Sequence, residues 1–337
     1  MNIPTYSQIL FSAFSFLILP ACMTAPQSAL STTSENEVLL LSEYGKLLTA
    51  PTSGGEAHEI PHLRPIGGIR GSSVEPGVIA GTWNELGQPI IEMLSLDGAV
   101  KHTYPLTNKV RMTTPSPDGR LIAYTLGQSG IFISELGNIE KERFYPIPDA
   151  IEINGLSWSR DQQQIAFIKR LTSSEVGKFL TILGVLNISN GDIQILTGPQ
   201  RPNQPVFSPD GKLLAYFDTD WQLRLQNVVV SDLRSLGNTN RPTTVITRSF
   251  KKYRHFQALQ WSPSGEWLFW AELQHAFPDL YKSQVDGSHF TEIEIHRPWL
   301  SRIWRNIWPL EEAHRPCCLD YVWYEIPQNH KLSIPHP

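Results

Sequence analysis

Four copies of one short turn sequence, each followed at a fixed distance by the same kind of apolar triplet, constrain this chain more than any other feature. The turns begin with serine, and most of them continue with proline, aspartate and glycine: residues 116–119, 159–162, 208–211 and 262–265. The triplets that follow occupy residues 122–124, 165–167, 214–216 and 268–270. The copies begin 43, 49 and 54 residues apart, which is the period of a propeller blade. The repeat therefore predicts an all-β propeller.

The residue types in each turn sequence favour a reversal of the chain. In the copy at residues 208–211, Pro209 presets φ, Asp210 bonds to the local backbone, and Gly211 supplies the positive φ that closes the reversal. Because an apolar segment lies on each side, each copy predicts a β-hairpin. The copy at 159–162 lacks proline and glycine, and Ser264 replaces aspartate in the last copy. We expect both to remain turns.

A second hairpin signal follows in three of the repeats. It consists of an Asp-Gly or Asn-Gly pair between alternating segments, at residues 97–98, 190–191 and 286–287. Two hairpins make a four-stranded antiparallel meander, which is one blade. The spacing over the whole chain predicts about six such blades, with five to seven possible.

The best-preserved copy, residues 207–216, reads F-S-P-D-G-K-L-L-A-Y. Residue for residue, it resembles the WD40-like repeat of TolB-type periplasmic propellers, whose consensus is W-S-P-D-G-K-x-I-A-F. The resemblance covers residues 78–296 and implies a TolB-like fold. The motif is specific for the fold and says little about activity.

Residues 37–326 are predicted to form one propeller, followed by a C-terminal tail at 327–337. Residues 319–326 alternate like a strand, although they lack the motif. We expect this segment to pair with an N-terminal strand at 37–41, because an open propeller would leave two unpaired edges.

The N-terminus predicts an export signal of the lipoprotein type, residues 1–21. An apolar run of 11 residues, 9–19, is the length of a signal-peptide core and too short to span a bilayer. The run ends at L-P-A-C, which resembles the bacterial lipobox and implies acylation of Cys22. An ordinary signal without lipid is the alternative. Residues 22–36 read as a flexible tether, so we expect an exported, periplasmic or outer-membrane lipoprotein.

Linear signatures of catalysis and cofactor binding are missing from the sequence. It contains no G-x-S-x-G elbow, Walker loop, H-E-x-x-H or glycine-rich dinucleotide turn. His314, Cys317 and Cys318 match none of the spaced zinc patterns. Free thiols, intermolecular pairing and a strained vicinal disulfide all remain open for the two cysteines. We expect no cofactor, no metal and no catalytic residue. A hydrolase or lyase acting on envelope carbohydrate is the alternative, since a site built from separate loops leaves no linear motif.

Basic residues gather in the segments that connect the blades. The candidate partner-binding residues are Lys109, Arg111, Arg201, Lys251, Lys252, Arg254 and His255. With histidine counted as neutral, the six lysines and arginines outweigh the loop acids Asp149 and Glu152 and give the connecting loops a charge of +4, whereas the net charge of the whole chain is −4. This positive charge favours an envelope protein or an anionic envelope polymer as the partner. The lipid anchor would in addition attach the protein to a membrane. An exported protein is not expected to bind nucleic acid. The alternative is solvated loop charge without function.

Overall fold

The computed structural model describes residues 37–43, 46–64, 66, 68–71, 77–106, 110, 112–127, 130–172, 179–196, 201–219, 226–233, 243–246, 255–273, 278–296 and 320–325. Regular structure in these ranges is almost entirely β-strand. The strands form six four-stranded antiparallel sheets and one small two-stranded sheet. The six sheets are arranged as the blades of a β-propeller, as the repeat predicted. A helix long and apolar enough to cross a membrane does not occur in the described ranges.

The strands follow the repeat closely. The N-terminal strands are β1 (Glu37–Glu43), β2 (Lys46–Pro51), β3 (Gly55–Glu56) and β4 (His58–Ile60). Blade 2 contains β5 (Gly68–Gly71), β6 (Gly77–Trp83), β7 (Pro89–Ser95) and β8 (Val100–Pro105). Blade 3 contains β9 (Met112–Pro115), β10 (Leu121–Thr125), β11 (Gly130–Glu135) and β12 (Asn138–Pro146). Blade 4 contains β13 (Glu152–Trp158), β14 (Gln164–Thr172), β15 (Phe179–Asn187) and β16 (Ile193–Leu196). Blade 5 contains β17 (Pro202–Phe207), β18 (Leu213–Thr219), β19 (Gln226–Asp232) and β20 (Thr243–Ile246). Blade 6 contains β21 (His255–Trp261), β22 (Trp267–Leu273), β23 (Pro278–Gln284) and β24 (Thr291–Ile293), after which come β25 (Ile295–His296) and β26 (Asp320–Glu325).

The two ends of the chain meet in blade 1. Its strand order is β26-β1-β2-β4, so the innermost strand comes from the C-terminal side of the chain. The antiparallel register runs from Glu37 opposite Glu325 to Ser42 opposite Asp320. This confirms the predicted pairing of the two terminal segments, and it completes blade 1 with strands from both sides of the chain, so that the two segments pair edge to edge there.

A second seam closes the ring nearer its rim. Strand β25 pairs in parallel with β3, and the backbone N–H of Ala57 donates to the carbonyl of His296 at 2.8 Å. The Nζ of Lys282 donates to the carbonyl of Thr52 at 3.1 Å. Blade 1 is therefore attached to its C-terminal neighbour at the inner strand and also along the outer part of the blade.

All four serine turns adopt the same hydrogen-bonded geometry. In the copy at 208–211, the Ser208 hydroxyl donates to Asp210 Oδ1 at 2.7 Å and accepts the N–H of Leu213 at 2.9 Å. The residue in the fourth position of the four copies has a φ of +68°, +61°, +72° or +76°. The value of +61° belongs to Gln162. The copy at 159–162, which lacks the proline and glycine, therefore keeps the turn although glutamine does not favour that conformation.

The second strand of each repeat blade packs its apolar triplet against both neighbours. In blade 3, Ile122 and Tyr124 pack in the cluster shared with blade 2, whereas Ala123 packs with blade 4. Two indole groups also cross between blades: Trp158 Nε1 donates to the carbonyl of Thr114 at 2.9 Å, and Trp261 Nε1 donates to that of Val206 at 3.1 Å. The core of the protein therefore lies between successive blades, as expected for a propeller.

Candidate partner-binding face

The antiparallel order of each blade separates two faces of the propeller. The serine turns join the first strand to the second, and the Asp-Gly or Asn-Gly turns join the third to the fourth. These turns share one face, here called the turn face. The connections between second and third strands, and those between blades, share the other, here called the loop face. Loops presented by a rigid scaffold are where binding residues concentrate, so the loop face is the candidate site.

The acids of the turn face serve the turns themselves. Burial raises the pKa of Asp210, but hydrogen bonds from the Ser208 hydroxyl and the backbone N–H of Lys212 lower it by more, so the pKa lies below its ordinary value. The pKa of Asp118 is lowered in the same way, by Ser116 and the N–H of Arg120 against the effect of burial. A carboxylate held ionised by its own turn stabilises local backbone structure.

The structure describes two of the seven predicted binding residues. Lys109, Arg111, Lys251, Lys252 and Arg254 lie outside the described residues, as do Cys22, Cys317 and Cys318. The partner-binding assignment therefore stays a prediction.

The two described candidates begin neighbouring inner strands. Arg201 directly precedes β17, and His255 is the first residue of β21, where it lies opposite Leu273. The backbone N–H of Arg201 donates to Asp218 Oδ1 at 2.8 Å, and its carbonyl accepts the N–H of Thr219 at 3.3 Å. The start of β17 is thereby fixed to the end of β18 at the loop face.

An ion pair changes the charge expected of blade 4. Glu152 is one of the two acids counted in the connecting loops. Its Oε2 lies 2.6 Å from Arg170 Nη1, and the N–H of Ile151 donates to the Arg170 carbonyl at 2.9 Å. One of the two counted acids is thus paired with a cation of the same blade.

The connection from blade 2's second strand to its third is a tight turn. Asn84 Oδ1 accepts the backbone N–H groups of Leu86 at 3.0 Å and Gln88 at 2.9 Å. The N–H of Gly87 donates to the Asn84 carbonyl, also at 2.9 Å. This turn is short and fixed, because one asparagine side chain satisfies two backbone donors.

Inner strands of three blades carry a β-bulge at the same place. The bulged residues are Gly155, Gln204 and Ala258, each three positions before the ring residue at the end of its strand, and each with positive φ. A Cβ added at Gly155 would lie 2.9 Å from Ile168 Cγ1, so glycine is required there. Bulges bend a strand and redirect its side chains, and here they repeat around the central axis.

A buried polar cluster between blades 1 and 2 was not predicted. Glu92, in the middle of β7, is fully buried; His62 Nε2 lies 3.1 Å from its Oε2, and Arg64 Nη1 contacts its Oε1. The His62 side chain is 2% exposed. His62 and Arg64 belong to the connection between blades 1 and 2, which the cluster fastens to blade 2.

Glu92 interrupts a pattern that the other blades keep. It lies opposite Ala80, on the side of blade 2 that packs against blade 1. The residues facing the preceding blade at this place in blades 3, 5 and 6 are Phe132, Val229 and Tyr281. The sequence indicates this cluster only through a glutamate inside an otherwise apolar strand, and it does not show which residues that glutamate contacts.

Metal-binding chemistry has no support from the described part of the chain. Within those ranges, no group of three or more His, Cys, Asp or Glu side chains is placed to hold a metal ion.

Comparison with known proteins identifies the fold. No protein-family model matches the chain, and no curated protein matches it by sequence. TolB from Acinetobacter baumannii superposes with a TM-score of 0.57 at 15% identity, covering 86% of this chain and 67% of that one. A chain of a nidogen/laminin complex has a TM-score of 0.57 at 13% identity, covering 85% and 98%. A protein from Agrobacterium tumefaciens described as TolB has a TM-score of 0.52 at 12% identity, covering 76% and 88%.

These likenesses bear on architecture alone, because all three identities are low. The serine-turn repeat, the six blades and the two TolB structures point to the same arrangement. The protein is a six-bladed β-propeller with a TolB-like fold.

Proposed function

We propose that this protein is an exported, lipid-anchored propeller without catalytic activity that binds a cell-envelope partner at its loop face. The observation that carries the proposal is the division of the two faces. The serine turns of the turn face are closed by their own side chains, whereas the connections of the loop face differ in length and sequence from blade to blade. A rigid scaffold that holds variable loops on one side is suited to binding.

The partner's chemistry is inferred from charge. The predicted basic residues come from three connections, 106–111, 197–201 and 247–254. Arg201 and His255 begin adjacent inner strands, which supports a shared location for the last two connections. An acidic protein segment or an anionic envelope polymer complements such a surface. The likeness to a chain of the nidogen/laminin complex shows that this fold occurs in a protein–protein assembly.

Charge reversal tests the binding face. Replacing Lys251, Lys252 and Arg254 by glutamate should leave the melting temperature nearly unchanged, while partner capture from solubilised envelopes weakens and loses its dependence on salt. The matched control reverses three cations of the turn-face hairpins: Arg120, Arg160 and Lys212. Capture that is unchanged in the first variant, or equally weakened in the control, would refute the proposed site. Release of sugar from envelope polysaccharide by the pure protein would refute the non-catalytic role.

The anchor has a separate test. Intact-mass analysis of membrane-extracted protein should show a chain that begins at Cys22 and carries acyl mass, and Cys22→Ala should leave the precursor unprocessed. A mature chain that starts elsewhere and carries no lipid would refute the lipoprotein assignment.

A further inference from the structure

The chain enters the propeller at the turn face. Strand β1 is the second strand of blade 1, and its last residue, Glu43, lies opposite Lys46 at the connection to the third strand. Connections between second and third strands lie on the loop face, so the first residue of β1, Glu37, is at the opposite end of the blade. The last residue of β26, Glu325, lies opposite Glu37 there. Residues 1–36 therefore join β1 on the turn face.

Blade 1 has the orientation of the repeat blades, although its strands come from both sides of the chain. In blade 6, the turn between the third and fourth strands contacts the end of the preceding blade: a Cβ added at Gly287 would lie 3.9 Å from Cγ1 of Ile246, the last residue of β20. The corresponding connection of blade 1 makes the same kind of contact. A Cβ added at Gly54 would lie 2.7 Å from the carbonyl oxygen of Glu294, which directly follows β24 of blade 6. The turn face of blade 1 is thus continuous with that of its neighbour.

The predicted anchor lies close to this entry point along the chain. Only residues 23–36 separate Cys22 from Glu37. Fully extended, these 14 residues would span at most about 49 Å. As a flexible tether they have an r.m.s. end-to-end distance of about 20 Å. An anchor at Cys22 therefore holds the turn face near the membrane.

The opposite orientation requires a longer path. Strand β1 has 7 residues and spans about 23 Å from the turn face to the loop face. Two further strands, spaced by about 4.8 Å, lie between β1 and the outer edge of the blade. A tether that begins at Glu37 and reaches a membrane at the loop face must pass around both, over about 33 Å. Because that path is longer than the r.m.s. length of about 20 Å, conformational entropy opposes it.

The charge of the turn face does not draw it to lipid. The three Asp-Gly or Asn-Gly turns, residues 95–99, 187–192 and 284–288, contain no lysine or arginine, and each carries an exposed acid: Asp97, Asp192 and Asp286. Anionic headgroups repel such acids. The position of the tether, rather than attraction between the face and the lipid, therefore sets the orientation.

We propose that the anchored protein stands on the membrane with its turn face toward the lipid headgroups and its loop face away from them. The turn face is then the surface next to the bilayer, and the loop face is presented to partners that lie beyond it. This inference rests on the proposed function, because it requires the lipid at Cys22.

Distance measurements on the lipidated chain test the orientation. The protein, with Cys317 and Cys318 replaced by serine, is reconstituted in vesicles of phosphatidylethanolamine and phosphatidylglycerol that carry an energy-transfer acceptor on the headgroups. A donor dye is attached to a single cysteine at one of four exposed positions, which are Arg120 and Glu266 on the turn face and Leu86 and Thr172 on the loop face. The two turn-face positions should lie about 20 Å nearer the headgroups than the two loop-face positions. Equal distances from both faces, or shorter distances from the loop face, would overturn the proposal.

A longer tether separates the two possible causes of the orientation. Inserting about 20 Gly and Ser residues after residue 30 raises the r.m.s. length to about 32 Å, which is comparable with the path around the blade. The difference in distance between the two faces should then fall at least about twofold. A difference that persisted unchanged would show that the turn face itself binds lipid, and would overturn the tether as the cause.

The same preparation distinguishes this inference from the proposed function. A chain without acyl mass that does not stay on the vesicles would refute the anchor, and the orientation with it. A lipidated chain that stays on the vesicles with its loop face toward the headgroups would refute the orientation alone.

Discussion

Positions 162 and 211 are the fourth residues of two serine turns; the first has lost the glycine of the repeat and the second keeps it. At both positions, glycine should give a higher free energy of unfolding than alanine, and by about the same amount. The φ values of Gln162 and Gly211 are +61° and +72°. A Cβ added at Gly211 would meet nothing within 4 Å, so Gly211→Ala introduces conformational strain and no steric clash. The left-handed region costs a residue with a Cβ about 1–2 kcal/mol. Alanine recovers about 0.4–1 kcal/mol by restricting the unfolded chain. The net loss at position 211 should be about 1 kcal/mol.

At position 162 the same strain is already present, so Gln162→Gly should relieve it. The Gln162 side chain also bonds to Asp118 and lowers the pKa of that carboxyl, and every substitution at this position removes the bond. Gln162→Ala is therefore the proper reference, because it removes the bond and keeps the strain. The glycine variant should be about 1 kcal/mol more stable than the alanine variant.

Urea unfolding of the purified mature chain, followed by tryptophan fluorescence, measures these differences. With an m-value of about 3 kcal/mol/M, a change of 1 kcal/mol moves the midpoint by about 0.3 M. The midpoint should fall for Gly211→Ala, and it should be higher for Gln162→Gly than for Gln162→Ala. If alanine were as good as glycine at both positions, the left-handed turn would not carry the strain that we assign to it.

Three further outcomes follow from named contacts. Trp158→Phe should lower the free energy of unfolding by about 2 kcal/mol, because the carbonyl of Thr114 loses an interblade donor and a small void forms; an unchanged urea midpoint would contradict this. The lowered pKa of Asp210 adds stability above the unfolded-state pKa of about 3.9 and loses it as the pH falls through the folded-state value. Asp210→Asn should therefore flatten the acid limb of the stability–pH curve, and a parallel curve would contradict it. Glu92→Leu should cost about 3–5 kcal/mol by removing the carboxylate that the buried His62 ring and the Arg64 guanidinium contact, and apolar replacement of the histidine and arginine as well should recover most of that loss; equal losses in both variants would contradict the pairing.

Much of the fold was predictable because its signals are local. Each serine turn is closed by contacts between residues two to five positions apart, such as Ser208 with Asp210 and Leu213. Hairpins and alternating strands likewise depend on neighbours along the chain. The pairing of the chain's two ends was also predictable, because a closed ring removes unpaired edges.

The candidate site was less predictable, since charge along a sequence does not show which charges meet. Glu152 was counted among the charges of the connecting loops, and in the structure its carboxylate pairs with Arg170 at 2.6 Å.

By itself the sequence determined the repeat, the four-stranded blade and the places where the chain turns, because these depend on backbone preferences and on side chains within a few residues. The tertiary structure decided the rest. Glu92 is buried against His62, 30 residues away, and Lys282 reaches the carbonyl of Thr52 across 230 residues. Gln162 adopts a conformation that its residue type disfavours, because the hairpin around it must still close between two packed strands. Contacts of this kind have no local signal: their free energy is gained only when whole blades are stacked.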